Sequence, residues 1–168
     1  MQSPDLESMR VDCSRWAAMP DDGVLLAIDF GTRKTGLAIG HPLTGSAQPL
    51  DPIRYRQEES LLAALGEVVK RWRPGRIIIG LPLAADGSET DMSRNVRAFA
   101  DQLASRLPEL ARACEICLHD ERMSSQEAAR GFAQRREQGR ARRRDATRMD
   151  SMAAALILES WMSEHHRD

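Results

Sequence analysis

The sequence predicts an α/β layer structure, a mixed five-stranded sheet with helices on both faces. Three observations carry that reading. The runs Val24-Leu25-Leu26-Ala27-Ile28 and Arg76-Ile77-Ile78-Ile79-Gly80-Leu81 are nearly all apolar, as in strands buried on both sides. Gly31-Thr32-Arg33-Lys34 is short enough for a hairpin turn, so an antiparallel meander opens the chain. Beyond residue 57 the apolar period shifts to three and four residues, the mark of amphipathic helices. Helices between strands act as crossovers and set the later strands parallel to the first.

Taken in order, residues 1–22 hold polar residues, a proline and scattered apolar ones such as Trp16. They read as a largely disordered tail, with one short candidate helix around Ser8 to Ala18. Residues 23–164 form one domain. Its first strand covers about 24–30, and Thr35 to Gly40 is the partner across the turn. His41 to Gln48, rich in turn formers, reads as a loop leading to a third strand near Leu50 to Tyr55. Leu61, Leu62, Leu65, Val68, Val69 and Trp72 define a helix over 57–72, stopped by Pro74-Gly75. The strand at 76–81 follows, then a loop from Pro82 to Glu89. A second helix, about Thr90 to Leu107, carries Val96, Phe99, Leu103 and Leu107 on one face. A strand lies at Glu115 to Leu118. Ser124-Ser125-Gln126-Glu127 has capping-box spacing and starts a helix to about Gln134. The last helix spans about Asp150 to Ser163, with Ala153, Ile157 and Trp161 on one stripe.

At 168 residues and 42% hydrophobic composition, the chain has material for one self-sufficient core. No apolar run reaches the length of a membrane span, and the first 22 residues lack the apolar region of a secretory signal. A soluble, cytoplasmic protein is expected. Three cysteines form no framework of pairs, which agrees with a reducing compartment. Cys114 and Cys117 have C-x-x-C spacing, but in a strand their thiols point to opposite faces, which disfavours a redox or zinc pair. The net charge of −1 says nothing of a polyanionic partner. Seven arginines between Arg135 and Arg148, against Glu137 and Asp145, mark either a solvated loop or the footprint of a polyanion.

Three carboxylates fall at comparable places. Asp29 closes the first strand, Glu121 follows the strand at 115–118, and Asp150 opens the last helix. Each has a plain structural reading: Asp29 as a turn acceptor, Glu121 as the partner of Arg122, Asp150 as a charge favoured in a first helical turn. Ligands of parallel sheets gather at the carboxyl ends of the strands, where all three converge. Two carboxylates about 4 Å apart repel by roughly 4 kcal/mol at an effective dielectric near 20. Three in one cleft must protonate or hold a cation, and oxygen-only ligands suit magnesium or manganese.

Four stretches carry a resemblance. Leu26-Ala27-Ile28-Asp29-Phe30-Gly31-Thr32-Arg33-Lys34-Thr35-Gly36-Leu37-Ala38 resembles the opening motif of the YqgF/RuvX family of RNase H-like proteins. Ile79-Gly80-Leu81-Pro82-Leu83 with Asp86-Gly87-Ser88-Glu89 is similar to its second motif, and Leu118-His119-Asp120-Glu121-Arg122-Met123-Ser124 to its third. Asp150-Ser151-Met152-Ala153-Ala154-Ala155-Leu156-Ile157-Leu158-Glu159 resembles the fourth. The resemblance implies an RNase H-like sheet and a bacterial, cytoplasmic nuclease that finishes the 5′ end of 16S ribosomal RNA. An older reading of the family is Holliday-junction resolvase, by likeness to RuvC.

What the resemblance implies for the site is that Asp29, Glu121 and Asp150 are the catalytic carboxylates and the ligands of Mg²⁺ or Mn²⁺. In the related RuvC pattern the glutamate lies on the strand that here ends Gly80-Leu81-Pro82. No acid stands there, so Glu121 takes the role, with Asp120 as its alternative and Asp145 as an alternative to Asp150. Thr32 is expected to orient a phosphate at the turn. Arg33, Lys34, Arg122 and the loop arginines, Arg142, Arg143 and Arg144 among them, are expected to hold the backbone of precursor rRNA or of branched DNA. A pre-ribosomal particle is a further expected partner, and the chain acts as monomer or homodimer.

Two rival motifs fail. Asp29-Phe30-Gly31-Thr32 also resembles the phosphate turn of the actin and sugar-kinase superfamily, but those proteins need two such domains. Gly31 to Gly36 has P-loop glycine spacing, yet Leu37 stands where lysine is required. A non-catalytic nucleic-acid or ribosome-associated module is the remaining alternative.

Overall fold

The computed structural model describes residues 23–106, 115–121 and 151–165. Five strands form one sheet in the order β3-β2-β1-β4-β5. They are β1 (Leu25–Asp29), β2 (Lys34–His41), β3 (Ser46–Arg54), β4 (Arg76–Leu81) and β5 (Glu115–Asp120). The described helices are α1 (Glu58–Trp72), α2 (Asp91–Arg106) and α3 (Met152–His165). The β1–β2 and β2–β3 pairs are antiparallel, while β1–β4 and β4–β5 are parallel. This is the expected meander plus two parallel strands.

Period-two alternation sorts the sheet into two cores. Leu26, Ile28, Leu37, Ile77 and Ile79 pack against Leu61 and Leu65 of α1 and Val96, Phe99 and Leu103 of α2. Leu25, Ala27, Ala38 and Ile78 face Ala154, Ala155, Ile157, Leu158 and Trp161 of α3. Each large side chain so buried contributes about 1.5–3 kcal/mol. The sheet is therefore covered on both faces. By the same alternation Asp29 belongs to the face that α3 covers.

Local chemistry sets the ends of the helices. Arg73 takes the left-handed conformation (φ 47°) and its N–H donates to the Val69 carbonyl at 2.8 Å, ending α1 before Pro74. At the start of α2, the Ser93 N–H donates to Thr90 Oγ1 at 3.1 Å and the Thr90 N–H to Ser93 Oγ at 2.7 Å. This is a reciprocal cap with serine in the glutamate's usual place. At the amino edge of the sheet, buried Arg76 pairs with Glu115 at 2.6 Å and lies 5.3 Å from the Trp161 ring.

Several boundaries differ from the sequence reading. The stretch expected as a loop, His41 to Gln48, is the end of β2, a tight turn and the first residues of β3. β3 is an edge strand, so it tolerates Pro49 and Pro52 and lacks the apolar run that marks a buried strand. β5 continues two residues further than expected, to Asp120. On α3 the sheet-facing stripe is Ala154, Ile157, Leu158 and Trp161, whereas Ala153 is exposed. A helix apolar on most of its surface gives the periodicity little to register. The expected tail at 1–22, the helix at 124–134, the arginine-rich loop and Cys114 lie outside the described residues. Cys117 is buried in β5. Among the described residues, no helix is long and apolar enough to cross a membrane.

Candidate active site at the carboxyl edge of the sheet

β1, β4 and β5 run parallel and end at one edge, and β3, which runs the same way, ends there too. Along this edge lie Arg54, Lys34, Asp29, Leu81 and the Asp120-Glu121 pair. Phe30 turns to the opposite face and stacks on Phe99, with ring centroids 4.4 Å apart. That contact fixes the end of β1, so Asp29 stays on the α3 face. The following turn is tightly made. A Cβ on Gly31 would meet the Lys34 carbonyl oxygen at 2.3 Å, and the Tyr55 hydroxyl donates to the Gly31 carbonyl.

Glu121 reaches the same place from β5. Its N–H donates to the Leu81 carbonyl at 3.2 Å, continuing the β4–β5 ladder by one step. Its carboxylate then lies over Gly80: a Cβ built on that glycine would stand 1.9 Å from Glu121 Oε1 and 2.5 Å from Ile157 Cδ1. Gly80 follows Ile79, the register partner of Ile28, and so neighbours Asp29 across one strand spacing of about 4.8 Å. The glycine is thus a vacant place in the sheet that the acid of the next strand fills.

The Asp29 charge acts on Glu121. Burial, then the Asp29 charge, then Asp120 push the Glu121 carboxyl up to about 7. Burial also raises Asp29, an effect that the Lys34 ammonium partly offsets. Both shifts penalise ionisation, which is what an added cation at this edge relieves. Among the described residues no three His, Cys, Asp or Glu side chains gather closely enough to hold a metal by themselves.

A stability measurement follows from the sign of the Glu121 shift. A carboxyl near 7 in the folded chain and near 4.5 unfolded binds more protons when folded, so its stabilising share is complete below about 4.5 and disappears as pH rises through 7. Glu121→Gln removes that loss. The metal-free variant should melt about 2–4 °C above the wild type at pH 8, on the order of 1 kcal/mol after allowing for solvent screening. At pH 4.5 the two should coincide, and thermal denaturation at both values checks it. A neighbouring group acts in the opposite sense in both proteins: burial holds the His119 imidazole below its ordinary range, and its Nε2 lies 3.1 Å from Ser160 Oγ.

Of the residues singled out in sequence, Asp29 and Glu121 are brought together, with Asp120 beside Glu121. Lys34 opens β2 near Asp29, and Thr32 and Arg33 are exposed in the preceding turn. Asp150, Arg122, Arg142, Arg143 and Arg144 lie outside the described residues. Ser151, next in the chain to Asp150, is described. The buried Leu37 N–H donates to its Oγ at 3.0 Å, where the β2–β3 ladder slips between Thr35 and Leu37. That bond fixes the start of α3 beside Gly36, the register partner of Asp29. Sequence reasoning missed Gly80 and Ser151. The signal for the first was a glycine inside an isoleucine run, which marks a close approach.

A sheet of this order, covered by helices on both faces and carrying acids at its carboxyl edge, defines an RNase H-like protein. Solved structures with the same architecture agree. Thermus thermophilus RuvC in complex with a Holliday junction substrate aligns with a TM-score of 0.56 at 17% identity, covering 83% of this chain and 96% of that one. The yeast mitochondrial Holliday junction resolvase Ydc2 aligns with a TM-score of 0.55 at 12% identity, over 88% of this chain and 80% of that one. In sequence, a relative from Xanthomonas axonopodis pv. citri named "Putative pre-16S rRNA nuclease" is 40% identical over 146 residues, which is 87% of this chain and 91% of the relative. Its counterpart from Xanthomonas euvesicatoria pv. vesicatoria is 39% identical over the same length. The family model described as "RuvX: Holliday junction resolvase" matches residues 23–164. The chain belongs to the RuvX family of nucleases, hydrolases of phosphodiester bonds.

Proposed function

We propose that this chain is a divalent-metal-dependent nuclease that matures the 5′ end of precursor 16S rRNA, with Asp29, Glu121 and Asp150 as its catalytic carboxylates. The single observation behind the reading is the half-buried acid pair at the carboxyl edge, Glu121 over Gly80 and Asp29 beside it, both carboxyls shifted upward. Their donor set fits the ion: hard oxygen ligands suit Mg²⁺ or Mn²⁺, and a dication offsets both the burial and the mutual repulsion. Such an ion, when bound, supplies Lewis-acid polarisation of the phosphoryl oxygens. Asp150 joins the pair on the strength of its position next to Ser151, which is anchored beside Gly36. Its spacing to Ala154 and Ile157, four and seven residues on, also matches the sheet-facing stripe of α3.

The turn and the chain's own cations do the remaining work. Thr32 and Arg33 at the turn, and Lys34 behind it, meet the phosphate backbone. Arg122, Arg142, Arg143 and Arg144 add further positive charge to that grip. Contacts of this kind position the substrate without reading sequence and weaken as salt rises. In this reading residues 23–164 are one nuclease domain, residues 1–22 are a tail, and the enzyme works in the cytoplasm on RNA within a pre-ribosomal particle.

The family description favours a second reading, resolution of branched DNA. A resolvase cuts two strands and needs two active sites, hence a dimer, whereas trimming one RNA end needs only a monomer. The purified protein should shorten a precursor 16S 5′ fragment in Mg²⁺ and stop in EDTA, and cells depleted of it should accumulate the extended precursor. Cleavage of a four-way junction with the precursor left untouched would favour the resolvase. Binding without cleavage, indifferent to chelators, would leave only a binding module.

A further inference from the structure

We propose that Arg54, paired with Lys34 on the α3 face of the sheet, is a phosphate-binding residue that seats the nucleic-acid backbone one step away from the carboxylates. The inference rests on the nuclease reading above and extends it to a residue of the third strand. Lys34 and Arg54 are register partners at the open end of the β2–β3 pair, so their side chains leave the sheet on the same side. That side follows from the neighbours. Ile53 packs into the core beneath α1 and α2, which sends Arg54, the next residue, to the α3 face. Asp29 and the Glu121 carboxylate occupy the same face. Arg54 is exposed and lies two strand spacings, about 10 Å, from β1. From β3 to β5 the edge therefore runs from cationic to anionic, with Lys34 between.

The position of Arg54 is held, not incidental. The Tyr55 N–H donates to the Arg33 carbonyl at 3.1 Å, and the Tyr55 hydroxyl donates to the Gly31 carbonyl. These two bonds tie the end of β3 to both sides of the β1–β2 turn. The slip between Thr35 and Leu37 adds twist to this corner, a device that re-aims side chains beside active sites. Exposed Arg33 and Arg56 flank the pair. A backbone laid across the strands over α3's face would meet Arg54 and Lys34 before reaching Asp29.

A contact made equally in the ground and transition states changes KM more than kcat. Arg54→Gln should raise KM for a single-stranded precursor 16S 5′ fragment about tenfold in Mg²⁺, with a smaller change in kcat. The slope of log affinity against log salt should shrink by about 0.7, the contribution of one phosphate contact on a single strand. Arg54→Lys should restore most of that slope, since a compact cation also binds phosphate. Lys70→Gln, a surface charge near the far end of α1, is the control and should match the wild type. If the wild type cuts the fragment but Arg54→Gln has wild-type KM and salt slope, the role of Arg54 is overturned and the nuclease reading stands. A wild type that neither binds nor cuts overturns both.

Discussion

Asp29→Asn should lower magnesium-dependent kcat/KM at least about a thousandfold, equivalent to roughly 4 kcal/mol of transition-state stabilisation, while RNA affinity stays within a few-fold of wild type. Asparagine keeps the shape of the side chain and its seat opposite Gly36, so the fold has no reason to move. What it removes is one of the charges that make this edge attractive to a dication. Binding is spared because Arg33, Lys34 and Arg54 are untouched, and a lost negative charge beside the substrate path can only help a polyanion. A second readout separates charge from structure. Asp29 is among the causes that push Glu121 up to about 7, so its neutralisation should return Glu121 toward the ordinary carboxyl range, visible by NMR titration. Full cleavage in the variant would remove Asp29 from the catalytic set.

Gly80→Ala should cost nearly as much activity by a different route. The added methyl would stand 1.9 Å from Glu121 Oε1 and 2.5 Å from Ile157 Cδ1, both inside van der Waals contact. Glu121 sits just past the end of β5, whereas Ile157, on α3, is packed against the sheet with little room to yield. The expected result is displacement of the carboxylate with a loss of about a hundredfold in kcat, as for other active-site groups misplaced by around 1 Å. Overpacking adds about 1–3 kcal/mol of destabilisation. Activity assays beside denaturant unfolding distinguish the two. A variant destabilised but fully active would mean that Glu121 works from elsewhere than the place over Gly80.

The central strands and their order were legible because burial on both faces writes itself into composition. Ile77, Ile78 and Ile79 can only be a strand with no wet side, and the helices between strands force the parallel pairing. Asp29 stood out as the one charge closing such a run. The edges were less legible for the same reason. β3 is half exposed and carries two prolines, so its sequence resembles a loop, and β5 ends in His119 and Asp120, which look like turn residues. Ala153 was misplaced on α3 because alanines at 153, 154 and 155 give no contrast between faces. The meeting of Asp29 with Glu121 was anticipated from their places at the carboxyl ends of strands, but the local cause was not. That cause is a missing side chain at Gly80, and only the register of β4 against β1 and β5 reveals which acid fills the place.

In the proposed nuclease, Asp29 and Glu121 hold a divalent ion together at one site. Crystals soaked in Mn²⁺ and measured for anomalous scattering test it most directly. The expected peak lies over Gly80, about 2.0–2.6 Å from an oxygen of each carboxylate, the reach of hard divalent ions, and is absent in Asp29→Asn crystals. A wild-type crystal with full manganese occupancy elsewhere and none between these two side chains would contradict it.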